Sequence, residues 1–111
     1  LLACAIRLGA MSANATRSQL RVLTDFAYNL GMAFQVIDDI LDATKTSKEL
    51  GKTAGKDAKA GKATYPSILG MKRAEKEADR YTAAAIRALR PFGSRAQRLK
   101  QLADYLLNRQ N

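Results

Sequence analysis

The sequence predicts an all-α fold of about four helices with one long lysine-rich loop. Three observations predict it. Apolar side chains recur at steps of three and four residues along most of the chain. No stretch alternates apolar and polar residues as a half-buried strand would. Apolar residues make up 47% and charged residues 26%, a globular balance, and 111 residues leave room for a single domain.

Residues 1–13 form the first helix. Leu2, Ile6, Leu8 and Met11 place apolar surface nearly all round it and Arg7 is its single charge, so burial is expected. Leu1-Leu2-Ala3 offers no capping side chain, which is the pattern of the middle of a helix, and a longer parent protein is expected. Asn14 to Thr16 is a break with capping chemistry.

Residues 17–43 carry the strongest pattern: Leu20, Leu23, Ala27, Leu30, Phe34, Ile37 and Leu41 form one stripe, with Thr16 or Ser18 as cap. Gly31 costs about 1 kcal/mol inside a helix, which points to close packing or ligand approach there. Residues 44–63 hold six Lys and three Gly without apolar periodicity and are expected to be the loop. Residues 66–90 resume helix, with Pro66 at its first position after Thr64 or Tyr65 as cap. Ile68, Leu69, Met71, Ala74, Ala78, Tyr81, Ala85 and Leu89 are its apolar stripe. Pro91 and Gly93 end it. A last helix follows, with Ser94 as cap and Leu99, Leu102, Ala103, Leu106 and Leu107 as its buried face.

Several chemistries are excluded by composition. A single Cys rules out an intramolecular disulfide and a Cys-based zinc site, and the absence of His rules out His-dependent triads and His–metal sites. No apolar run approaches the roughly 18 residues of a membrane span. No signal-peptide pattern opens the chain, which points to the cytoplasm. The net charge of +9 suggests an anionic partner.

Chemistry concentrates at Asp38-Asp39-Ile40-Leu41-Asp42. On a helix these three carboxylates share a face, and Gln35, three and four residues earlier, joins them. Like charges at this spacing repel, and the C-terminal end of a helix disfavours anions. Apolar flanks (Phe34, Val36, Ile37, Ile40) argue against a freely solvated face. A hard divalent cation removes the penalty. Mg²⁺ suits the oxygen donors, being commonly held by one or two carboxylates together with substrate phosphates.

In the loop, Gly stands beside Lys three times, at Gly51-Lys52, Gly55-Lys56 and Gly61-Lys62. Gly lets the backbone approach a phosphate and Lys adds a point charge. The spacing is not that of a P-loop, because only three residues separate Gly51 from Gly55 and Asp57 follows Lys56. A magnesium helix beside a lysine loop suits a diphosphate substrate.

The run from Gly31 to Asp42, containing Phe34-Gln35-Val36-Ile37-Asp38-Asp39, continues into Leu50-Gly51-Lys52 and Gly61-Lys62-Ala63-Thr64-Tyr65-Pro66. Together these resemble the second aspartate-rich region of the trans-isoprenyl diphosphate synthases, most of all their bacterial farnesyl diphosphate synthase branch. The resemblance extends through Asp104 to Arg109 and takes in residues 1–111 as the C-terminal part of one polyprenyl synthase domain. It implies the C-terminal portion of the isoprenoid synthase helical bundle, usually a homodimer. It also implies Mg²⁺-dependent condensation of an allylic diphosphate with isopentenyl diphosphate, Mn²⁺ being an admissible substitute.

By matching positions, Asp38, Asp39 and Asp42 are the metal-binding residues, directly or through water. Gln35 lies by the reacting carbons. Lys52 contacts the allylic diphosphate, with Lys62 and Asp57 in the same shell, and Arg109 belongs to a C-terminus that closes over isopentenyl diphosphate. Arg7 and Arg21 are expected to be surface charges, and Tyr81 and Tyr105 packing residues.

In the family the first aspartate-rich motif lies upstream of the segment that Leu1 opens. The chain by itself is therefore expected to be inactive and to associate with a copy or with the missing part through exposed apolar faces. Two other readings compete. A basic helical nucleic-acid-binding module fits the charge, but three Asp repel phosphates and no aromatics interleave the lysines. A non-catalytic partner subunit derived from the family is the other.

Overall fold

The computed structural model describes residues 1–48 and 63–108. Among these the elements are α1 (Leu2–Ser12), α2 (Arg17–Lys48), α3 (Tyr65–Leu69), α4 (Met71–Ala88), a 3₁₀ segment (Arg90–Ala96) and α5 (Gln97–Leu107). No strand occurs among the described residues, as the periodicity requires.

α2 starts with a reciprocal cap. The Gln19 amide donates to Thr16 Oγ1 at 3.1 Å and the Thr16 amide donates to Gln19 Oε1 at 2.9 Å, so Thr16 and not Ser18 is the cap. The helix runs to Lys48, beyond the boundary expected at residue 43. The shift to polar residues there brings neither Gly nor Pro before Gly51, and Thr44 keeps its hydroxyl on the Ile40 carbonyl at 2.8 Å within the helix. Residues 49–62 of the expected loop lie outside the described residues.

The single helix expected over 66–90 is two. Thr64 caps α3, its Oγ1 accepting the Ser67 amide at 3.2 Å. Gly70 then takes φ 83°, ψ 157°, a conformation essentially reserved for Gly, and α4 begins on its far side. The apolar spacing passes through Gly70 unbroken, so periodicity alone does not reveal the break. Gly93 also has positive φ, 57°, inside the 3₁₀ segment. Ser94 does not cap the last helix with its side chain. It lies within the 3₁₀ turn, and its carbonyl accepts the Gln97 amide as the turn runs directly into α5.

The main core joins α2, α4, the 3₁₀ segment and α5 through Phe26, Leu30, Ala33, Ala85, Leu89 (between α4 and the 3₁₀ segment), Ala96, Ala103 and Leu107. A second cluster, Val36, Ala74 and Ala78, with Ile37, Ile40, Tyr65 and Tyr81 packed on it, lies along the carboxylate-bearing half of α2. The close approach expected at Gly31 does not occur among the described residues: a Cβ there would meet only Leu2 Cδ1, at an ordinary contact distance of 4.0 Å.

α1 departs from its expectation. Only Ala10 is buried, and Leu8 and Met11 are exposed, because α1 packs one side, through Leu2 and Ile6, on the core. Tyr105, expected to pack, is 77% exposed, and Leu102 on α5 is also exposed, while Tyr81 does pack on both clusters.

Candidate functional site

The carboxylates sit on the C-terminal half of α2, which is one continuous helix from Arg17 to Lys48. Each residue turns the helix by about 100°. Asp38, Asp39 and Asp42 therefore fall within a fan of about 100°, and Gln35 lies one turn before them. Asp38 and Asp39 are half-buried, and Gln35 and Asp42 are exposed.

Asp39 uses both of its oxygens. Oδ1 accepts from Gln35 Nε2 at 3.0 Å, and Oδ2 accepts from the Tyr65 amide at 3.2 Å. The second bond spans 26 residues in sequence and fastens the first turn of α3 to α2. The Tyr65 amide is one of the donors at a helix N-terminus that has no intrahelical partner, and an anion is its favourable acceptor. The Tyr65 ring packs on the cluster of Val36, Ala74 and Ala78. Burial holds its phenol above the ordinary tyrosine range, and Tyr81 beside it adds to the effect.

The donor set is all oxygen, which fits a hard divalent cation such as Mg²⁺. Among the described residues no three acidic, His or Cys side chains converge to hold a metal unaided. Of the expected site residues, the structure brings Gln35, Asp38, Asp39 and Asp42 together on α2. Lys52, Asp57, Lys62 and Arg109 lie outside the described residues.

Two features escape sequence reasoning. The Asp39–Tyr65 fastening has a partial signal in Thr64-Tyr65-Pro66, which marks a helix start, but nothing local tells which carboxylate meets it. The other is Arg7, read from sequence as a surface charge: it is half-buried, and its Nη1 donates to Thr24 Oγ1 at 2.8 Å across α1 and α2.

The polyprenyl synthetase family model matches residues 1–106. Over its whole length the chain is 43% identical to geranylgeranyl pyrophosphate synthase 10, mitochondrial, of Arabidopsis thaliana, and covers 33% of that protein. It is 45% identical over 107 residues to a dimethylallyltranstransferase of Fischerella ambigua, covering 96% of this chain and 31% of the relative. With geranylgeranyl pyrophosphate synthase, chloroplastic, of Capsicum annuum it shares 46% identity over all of this chain and 30% of the relative. The chain thus spans about a third of the length of these curated relatives.

Proposed function

The chain belongs to the polyprenyl synthetase family, and from that premise we propose that it carries the second aspartate-rich half of a prenyltransferase site. The parent reaction joins an allylic diphosphate to isopentenyl diphosphate and gives a short-chain prenyl diphosphate. One observation carries the reading: α2 presents Gln35, Asp38, Asp39 and Asp42 in one fan, anchored by Asp39 to the residues that follow the lysine-rich segment.

Each residue has a distinct task in this reading. Asp38 and Asp42 offer oxygens to a divalent cation. When bound, Mg²⁺ neutralises the diphosphate and stabilises the charge that grows on the leaving pyrophosphate. Asp39 sets the position of α3 and orients the Gln35 amide, which lies toward the reacting carbons. Lys52, assisted by Lys62 and Asp57, meets the diphosphate oxygens, and Arg109 serves the isopentenyl diphosphate end.

The relatives bear on product length. The resemblance is to farnesyl diphosphate synthases, whereas two of the three relatives above are named for geranylgeranyl pyrophosphate. Product analysis of the complete protein decides between a farnesyl and a geranylgeranyl product. Association with a second copy, or with a segment equivalent to the portion of the relatives that this chain does not span, is proposed to complete the site. No helix of the described residues is long and apolar enough to cross a membrane. Relatives include mitochondrial and chloroplastic forms, so residence in the cytoplasm is a proposal that cell fractionation tests.

Calorimetry of this chain with pyrophosphate, with and without Mg²⁺, tests the site. Binding that Mg²⁺ strengthens, with the Mg²⁺-dependent part lost in Asp38→Asn, is the expected result. Stabilisation by DNA alone, strongly salt-dependent and indifferent to Mg²⁺, would instead favour the nucleic-acid reading. Incubation with both diphosphates and Mg²⁺ is expected to give no prenyl product from this chain alone.

A further inference from the structure

At the end of α2 away from the carboxylates, α1 and α2 border an open surface cleft of about 480 Å³. Arg7, Arg17, Arg21, Thr24, Asp25 and Tyr28 line it. Three guanidinium groups thus face one carboxylate, an excess of two positive charges. Among the described residues none of these arginines is in an ion pair; the pair that does occur there joins Arg80 to Glu77 on α4.

The arginines stand where a helix tolerates them least. Arg17 is the first residue of α2 and Arg21 follows one turn later, while the first turn has no acidic residue. The helix N-terminus is its positive end, and like charges four residues apart repel. Arg7 arrives from α1 and adds a third cation. It is held in place by a relay: its Nη1 donates to Thr24 Oγ1 at 2.8 Å, and that hydroxyl donates onward to the Leu20 carbonyl at 2.7 Å. Thr24 is thereby committed as acceptor to Arg7, and the remaining guanidinium donors of Arg7 stay available. Asp25, one turn from Arg21, offsets one charge of the three.

We propose that this cleft binds a phosphorylated small molecule through its phosphate, without a metal and apart from the carboxylate site. Guanidinium forks match phosphate oxygens with paired hydrogen bonds, which an isolated lysine does not. A bound dianion removes the repulsion among the arginines and meets the positive end of α2. The cleft is open to solvent, so an organic body attached to the phosphate can extend along the exposed Tyr28 ring. Arg21 and Asp38 are 17 residues apart on one helix, which separates the two sites by roughly 25 Å.

The test titrates the chain with inorganic pyrophosphate in the presence of a chelator and follows the arginine Nε–Hε resonances. Those of Arg7, Arg17 and Arg21 are expected to shift together and to saturate. Arg21→Gln and Arg17→Gln are each expected to weaken binding about tenfold. Arg17 is solvent-exposed, so its variant guards against a mere folding defect in the others. Arg98→Gln removes one exposed positive charge from α5 and is expected to leave the affinity unchanged. Absence of saturation, or equal weakening by Arg98→Gln, would mean diffuse attraction to a basic chain and would overturn the proposal.

Discussion

Replacing Asp39 with Ala removes two hydrogen bonds at once, one within α2 and one to the first amide of α3. Loss of an anionic acceptor at a helix start costs about 0.5–2 kcal/mol. Loss of the bond to Gln35, one turn away, costs about 0.2–0.5 kcal/mol more. Relief of repulsion with Asp42 offsets a few tenths of a kcal/mol. The net expectation is about 1–2 kcal/mol, or roughly a five- to thirtyfold change in a local opening equilibrium. Hydrogen exchange reads this directly, because the Tyr65 amide is itself the donor and the amides of Ile68 and Gly70 report on the turn behind it. In Asp39→Ala those three amides are expected to lose protection by that factor, while amides around Phe26 and Leu30 in the core keep theirs. Asp39→Asn retains an acceptor for Tyr65 and is expected to recover much of the protection. Unchanged protection at Tyr65 in Asp39→Ala, or a loss spread evenly over α1 and α5, would show that the fastening does not hold α3.

Three further outcomes are expected. Phe26→Ala empties the centre of the main core and should destabilise the chain by about 3–5 kcal/mol in urea unfolding. Gly70→Ala meets no atom within 4 Å, so its effect is backbone strain alone; a loss of about 1–3 kcal/mol is expected, with α3 and α4 tending to merge and exchange at Tyr65 accelerating. Arg80 donates to Glu77 and holds its carboxyl below the usual range, so this pair adds stability above the ordinary carboxylate pKa and loses it as pH falls through the lowered value. Acid denaturation of Glu77→Gln is therefore expected to be shallower through that window than that of the unaltered chain, by a small amount suited to an exposed pair.

Much of this was legible in the residues. The stripe from Leu20 to Leu41 placed α2, and Thr16, one of the two candidate caps, placed its start, since a capping residue type leaves a local signature. The fan of Gln35, Asp38, Asp39 and Asp42 followed from helical spacing alone. What escaped depends on contacts between distant segments or on backbone angles that spacing does not encode. Gly70 lies in phase with its neighbours, yet its φ divides α3 from α4. Ser94 has the chemistry of a cap, but a 3₁₀ turn that flows into α5 leaves no amide for its hydroxyl to serve. The apolar girdle of α1 foretold burial, and in this chain α1 finds cover on one side only. Arg7 looked like solvent-facing charge because its partner, Thr24, lies across a helix boundary.

α2 is 32 residues without interruption, about 48 Å of rod. Such a rod fixes azimuth as well as length. Inserting a single alanine between Tyr28 and Gly31 would lengthen it by only about 1.5 Å, yet would swing everything beyond through about 100°. The acidic fan would then point past α3 while each of its side chains kept its own chemistry. The same stiffness means that an occupant at the arginine end cannot draw the acidic end nearer. Any message between them has to travel as rotation or as unwinding of a terminus.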